Sequence, residues 1–129
     1  MKDEILVVDD DEAVRYALYE ILGNAGYEVH CVDKAKEALE ILEEKDIHVF
    51  LIDLQLPGMN GVELCQEIRN SREMDFLCAM TGNSSAYGLV QCRQAGFDDY
   101  FLKPFDINNI TNAVAYGVNK LKRWGIIKY

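Results

Sequence analysis

The residues best suited to chemistry in this chain are acids. Asp9, Asp10, Asp11 and Glu12 stand in a row after the apolar stretch Ile5–Val8, and Asp53 follows the apolar stretch Val49–Ile52. Neighbouring carboxylates repel one another and raise each other's pKa unless a cation neutralises them. A hard divalent ion is the economical partner. Mg²⁺ takes octahedral oxygen ligands, keeps several waters, and is typically held by one or two carboxylates plus a substrate phosphate. Asp9, Asp10 and Asp53 could supply that set, whereas Asp11 and Glu12 also suit the start of a helix, where acids cap and favour the dipole. A carboxylate placed like Asp53, where a buried strand emerges into the turn Leu54-Gln55-Leu56-Pro57-Gly58, can act as a nucleophile and become an acyl phosphate. Lys103 would balance the phosphoryl charge and the hydroxyl of Thr81 would bond a phosphoryl oxygen, which is the positioning and electrostatics on which phosphoryl transfer depends.

These groups matter only if the fold gathers them. Short apolar runs alternate with amphipathic stretches five times, the pattern of βα units around a parallel sheet buried on both faces. Strands are expected over Ile5–Val8, Tyr27–Val32, Val49–Ile52, Phe76–Met80 and Asp99–Leu102. The intervening helices carry apolar residues at helical spacing: Ala13, Leu18, Ile21 and Leu22; Ala35, Ala38, Leu39 and Leu42; Val62, Leu64, Cys65 and Ile68. The connection from Ser84 to Ala95 contains Gly88 and is the weakest helix. The last helix opens at Asp106, an N-cap, and runs through Ile107, Ile110, Val114, Val118 and Leu121. The architecture expected is a (βα)5 doubly wound α/β fold. In such open sheets ligands bind outside the carboxyl ends of the strands. Asp9–Glu12, Asp53, Thr81 and Lys103-Pro104 all follow strands, so they converge on one rim.

The composition narrows the function. A chain of 129 residues allows one domain and leaves no room for a second catalytic or DNA-binding module. Its net charge of −9 repels nucleic acid and anionic membrane, so direct DNA binding is not expected. Cys31, Cys65, Cys78 and Cys92 show no C-x-x-C pairing and read as reduced thiols. His30 and His48 have no metal-spaced partners and read as surface or packing residues. No apolar run approaches the ~18 residues of a membrane span, and the start is too short in apolar residues for a signal peptide. The expected location is the cytoplasm.

Four segments together, ILVVDDDE (5–12), FLIDLQLPGMNG (50–61), AMTG (79–82) and YFLKPF (100–105), make the chain resemble the receiver domain of two-component response regulators across about residues 4–121. The resemblance implies a flavodoxin-like five-stranded sheet in the order 2-1-3-4-5, with residues 1–121 as the receiver and 122–129 as a basic, apolar tail or the start of a linker. It further implies that Asp53 is the phosphoacceptor and that Asp9, Asp10, Asp53 and the backbone carbonyl of Gln55 hold Mg²⁺. Thr81 then matches the switch hydroxyl, Tyr100 the switch aromatic and Lys103 the family's characteristic lysine. A cis bond precedes Pro104, and Gln55 and Asn83 occupy the positions that tune phosphoryl lifetime. The implied partners are a sensor histidine kinase or phosphotransfer protein, which would supply the phosphoryl group from a phosphohistidine, and an unknown downstream protein on the α4-β5-α5 surface, with phosphorylation-dependent dimerisation as a further outcome.

Rival readings share parts of this pattern. A haloacid dehalogenase-like phosphatase would use Asp9 and Asp11 as nucleophile and acid, but leaves Asp53 and Pro57-Gly58 unexplained. A flavin binder should offer hydroxyls and N–H groups to a phosphate where this chain places four acids. A pure interaction module with a decayed site conflicts with the complete rim. A receiver excised from a larger regulator or hybrid kinase would show the same motifs. The tail differs from the body: residues 120–129 hold four basic and no acidic side chains, while the other 119 hold nine basic and 22 acidic. With Trp124, Ile126, Ile127 and Tyr129 close together, the expectation is that it folds back on its own domain or begins a linker, against the hypothesis that it docks on an acidic surface, in cis or in a dimer, in a way that phosphorylation alters.

Overall fold

The computed structural model describes residues 2–82 and 88–129. Among these, strands and helices alternate strictly: β1 (Glu4–Val8), α1 (Glu12–Asn24), β2 (Glu28–Val32), α2 (Ala35–Glu44), β3 (Val49–Asp53), α3 (Gly61–Ser71), β4 (Phe76–Thr81), α4 (Leu89–Ala95), β5 (Asp99–Leu102) and α5 (Ile107–Arg123). The strands form one parallel sheet in the order β2-β1-β3-β4-β5. This is the flavodoxin-like doubly wound fold that the sequence implied.

Both faces of the sheet are buried, which explains why the central strands read as unbroken apolar runs rather than alternating ones. Leu6, Val8, Phe50, Ile52, Leu77 and Ala79 point to the face covered by α2, α3 and α4. Ile5, Val7, Val49, Leu51, Cys78 and Met80 point to the other, under Leu18 and Leu22 of α1 and Ile110, Val114, Val118 and Leu121 of α5. Two residues placed on buried stripes by their spacing, Ala13 and Ile107, are exposed instead. Each lies in the first turn of its helix, before the helix has descended over the sheet. Ser84, the expected beginning of the fourth helical connection, lies outside the described residues, and α4 itself begins after Gly88.

Local sequence sets several helix starts. Asp11 caps α1 by accepting from the Ala13 amide, and Asp106 caps α5 by accepting from Asn108. Asn60 and Glu63 form a reciprocal capping box at α3. Beyond α5 the chain turns at Gly125, and the amides of Ile126 and Ile127 donate to the Leu121 carbonyl. Ile126 and Ile127 are thereby packed against the α1/α5-side core, and Lys122 reaches Asp3 at 3.0 Å. Trp124 stays 66% exposed and Tyr129 92%.

Candidate functional site

The parallel register brings the carboxyl ends of β1, β3, β4 and β5 to one edge. Asp53 is the last residue of β3 and pairs with Met80, one residue before Thr81. Thr81 pairs with Leu102, and the Lys103 amide donates to the Thr81 carbonyl at 2.8 Å, so the last two strands deliver their polar residues side by side. Asp9 follows β1 directly, its amide donating to the Val32 carbonyl.

Asp9 and Asp53 are buried, while Asp10 is exposed at the mouth. One carboxylate oxygen from each of the three lies within 4.8 Å of the others. Lys103 Nζ stands 2.7 Å from Asp9 Oδ2 and 3.4 Å from Asp53 Oδ2. A single ammonium thus serves two buried acids. Burial pushes the Asp53 carboxyl up to about 6, with the charge of Asp9 adding to the rise and the Gln55 amide and Lys103 opposing it. For Lys103 burial works to lower the pKa, but contact with Asp9 and the charges of both acids outweigh it and hold the ammonium above its ordinary value.

The loop after Asp53 is built to hold that carboxylate still. The Gln55 amide donates to Asp53 Oδ1 at 3.1 Å, and the Leu54 amide donates to the Met80 carbonyl. Gly58 adopts φ +72°, the left-handed conformation that the Leu56–Met59 turn requires after a proline. The Gly61 amide closes the loop onto the Leu54 carbonyl at 3.0 Å. At Gly61 a Cβ would stand 2.3 Å from the Asp53 carbonyl oxygen and 2.7 Å from Leu54 Cα, so α3 starts in direct contact with the Asp53 backbone. Gly61 entered the sequence analysis only as the last residue of FLIDLQLPGMNG (50–61). The signal available was the capping box Asn60-Gly61-Val62-Glu63, which marks a helix start immediately after the loop that follows Asp53.

Other residues the sequence reading passed over also shape the rim. Arg15, on α1, donates from Nη1 to the Asp9 carbonyl at 2.8 Å and so pins the acid turn from beneath. Asp33, directly after β2, holds a buried Oδ1 without a hydrogen-bond partner among the described residues, next to Val32, whose carbonyl accepts from the Asp9 amide. Asp11 is committed to its helix cap, its Oδ1 2.9 Å from the Ala13 amide, so it is not poised as an acid partner for Asp9. Thr81 is wholly buried, and Tyr100 is half-buried against the α2/α3/α4-side core. The Lys103–Pro104 peptide is cis. Asn83 lies outside the described residues.

The histidines find partners that spacing did not suggest. His48 sits at the opposite, amino-terminal edge, its Nδ1 2.7 Å from Asp75 Oδ1 and its Nε2 2.7 Å from Asp46 Oδ1. The hydrogen bond to buried Asp75, reinforced by both carboxylate charges, raises its pKa against the opposing effects of burial and Arg72. His30 Nε2 lies within hydrogen-bond distance of Glu4 Oε1, at 2.8 Å, across the β1–β2 pair, and this contact accounts for the grouping of Glu4, Glu28 and His30.

Comparison with known proteins places this geometry. The profile of the response regulator receiver domain matches residues 5–115. The fold superposes on a CheY-like response regulator receiver domain protein from Methanospirillum hungatei JF-1 with a TM-score of 0.87 at 28% identity, covering 95% of this chain and 98% of that one. A BeF3-activated DrrB receiver domain gives 0.84 at 28% identity, with 92% and 99% covered. The receiver domain of the sensor histidine kinase PA1611 from Pseudomonas aeruginosa PAO1, which has a magnesium ion coordinated in its active site cleft, gives 0.83 at 26% identity, with 92% and 99% covered. The chain belongs to the response regulator receiver domain family and is a receiver of two-component signalling. Among the described residues no helix is long and apolar enough to cross a membrane.

Proposed function

We propose that this receiver takes a phosphoryl group from a phosphohistidine of a sensor kinase or phosphotransfer protein onto Asp53, in a Mg²⁺-dependent reaction, and changes shape in response. The observation that carries this reading is the buried Asp53 carboxylate facing Lys103 across 3.4 Å while a second buried acid, Asp9, holds the same ammonium. The donor set suits magnesium: Asp9, Asp10 and Asp53 offer only hard oxygen ligands, with more negative charge than Lys103 alone offsets. Asp9, Asp10, Asp53 and the Gln55 carbonyl would hold the ion, which when bound offsets the charge of the phosphoryl oxygens.

The chemistry asked of the chain is modest. An ionised oxygen of Asp53 attacks phosphorus; an O–P bond forms, the P–N bond to the donor imidazole breaks, and that imidazole leaves with the electron pair and takes up a proton. The Gln55 amide orients the acceptor and Lys103 faces the incoming charge. Thr81 donates to a phosphoryl oxygen and moves inward, and the Tyr100 ring turns into the space vacated. The surface that changes is that of α4, β5 and α5. Its exposed Leu89, Val90, Leu102 and Ile107 suit a protein partner, or a second copy after phosphorylation, better than water. Gln55, and Asn83 by its place in the sequence two residues after Thr81, set how long the acyl phosphate lasts. Hydrolysis is slow and assisted by the same residues, so the chain acts as a switch rather than as an enzyme with turnover.

The test is intact mass after treatment with a small phosphodonor and Mg²⁺. One phosphoryl group should be gained and Asp53→Asn should gain none, while Thr81→Ala should be modified yet leave the Tyr100 NMR shifts nearly unmoved. Modification that survives Asp53→Asn but not Asp9→Asn would overturn the assignment in favour of a phosphatase-like nucleophile.

A further inference from the structure

Two surfaces outside the acidic rim complement one another. The first is the segment 123–129. Ile126 and Ile127 are anchored on their own core, which leaves the aromatic rings of Trp124 and Tyr129 projecting at 66% and 92% exposure beside Arg123 and Lys128. The second is a groove of about 390 Å³ between α2 and the turn after β3, floored by Ala35, Leu39, Pro57 and Met59 and edged along α2 by Glu40 and Glu43. One surface is aromatic and cationic; the other is apolar and is anionic at Glu40 and Glu43, toward the carboxyl-terminal end of α2. Lys34 and Lys36 mark the far end of the groove, and Lys34 is within 4.0 Å of Glu37, which gives the groove a polarity.

The fold forbids these surfaces from meeting within one molecule. The 123–129 segment packs on the α1/α5 side, at the amino ends of the strands, where it shares a cavity with Lys2, Asp3 and His48. The groove opens on the α2/α3 side, toward the carboxyl ends. They lie on opposite faces and at opposite ends of the sheet.

We infer that residues 123–129 of one molecule dock in the α2 groove of a second copy, with Trp124 as the apolar anchor and Arg123 and Lys128 facing Glu40 and Glu43. Charge complementarity favours this occupant over others: the body outside residues 120–129 carries 22 acids against nine bases, so the acidic surface that a basic, aromatic segment meets on another copy is abundant. The contact is heterologous, using a different patch on each partner, and so leaves an unused segment and an unused groove at the two ends of every pair. The groove also abuts Pro57 and Gly58 of the acceptor loop, which places the neighbour's segment beside Asp53's scaffold without touching the carboxylate.

Sedimentation of the unphosphorylated chain tests this independently of any phosphotransfer. The mean mass should rise with concentration, fall at high salt, and be accompanied by a blue shift of Trp124 emission. Trp124→Ala and the double variant Glu40→Lys/Glu43→Lys, both altered only at exposed positions, should each weaken association by about tenfold or more. The decisive sample mixes the two. The first variant retains a groove and the second retains a segment, so the mixture should stop at a 1:1 pair although neither self-associates. A chain that is monomeric at every concentration, a Trp124→Ala variant that associates like wild type, or a mixture that forms no pair would each overturn the inference. A monomer that instead co-sediments with phosphatidylserine vesicles through Trp124 would overturn it too, and assign the segment to a membrane surface.

Discussion

The two ends of the sheet handle charge in opposite ways. At the carboxyl edge Asp9 and Asp53 share one ammonium, that of Lys103, with Asp10 close by, and Asp53 is left with a carboxyl pushed up to about 6. At the amino edge the charges are matched. Asp75, almost wholly buried, accepts from His48 and, at 3.2 Å, from Arg72. Arg72 also donates to the Ile47 carbonyl, while Arg69 binds Asp98 at 2.8 Å and the Gly96 carbonyl. Asp98 in turn accepts from the Leu77 amide. Each of these groups has a partner, so this edge staples the starts of β3 and β4 to α3 and to the turn before β5. The lesson is that unsatisfied charge marks where a ligand is expected, and satisfied charge marks where the fold is held. Local rules are broken at functional sites and obeyed elsewhere.

The largest effect should come from breaking the matched edge. Asp75→Ala leaves His48 and Arg72 partly buried without their shared anion, and should cost about 3–5 kcal/mol in urea unfolding. A loss below 1 kcal/mol would show that the amino edge is a solvated surface after all. The opposite sign is expected at the rim. Because the folded-state pKa of Asp53 is raised, its ionisation opposes folding: the stability present below pH 3.8 is lost as pH rises through about 6. Asp53→Asn should therefore stabilise the magnesium-free chain at pH 7 by on the order of 1–3 kcal/mol, with the gain fading below pH 4. Equal destabilisation at both pH values would mean that Asp53 is an ordinary satisfied carboxylate.

Smaller effects sharpen the contrast. The raised pKa of His48 means that its contribution is fully present below 6.5 and is lost as pH rises through its folded value. His48→Gln should cost about 1–2 kcal/mol at pH 5.5 and less at pH 9, read from denaturation midpoints. A pH-independent cost would assign His48 to packing alone. Last, Mg²⁺ at about five times its dissociation constant should stabilise the wild type by about 1 kcal/mol, and Asp10→Asn should reduce this. The same ion should leave Asp75→Ala no better than before relative to wild type, since the amino edge offers it no unmatched acid.

Much of this was legible from residue types and order. The alternation of apolar runs with amphipathic helices specifies a parallel, doubly covered sheet because strand and helix periods and burial on both faces leave few other patterns. Once the sheet is parallel, Asp9, Asp53, Thr81 and Lys103 must share an edge, since each follows a strand. The caps at Asp11 and Asp106 were likewise local matters of side chain to amide.

Other features exist only because distant segments meet. Nothing in the spacing of Asp46, His48, Arg72 and Asp75 announces a network, because its members come from the β3 approach and the end of α3, and only the packing of that helix on the sheet joins them. The same holds for Arg15 beneath Asp9 and for Gly61 against the Asp53 carbonyl, contacts of helix on strand end. Sequence order determines which groups reach an edge, because that depends on local conformation and strand polarity. How many partners each charge finds there, and hence whether its pKa is shifted and its energy spent on stability or held for a ligand, depends on desolvation and on neighbours far along the chain, which only the tertiary structure decides.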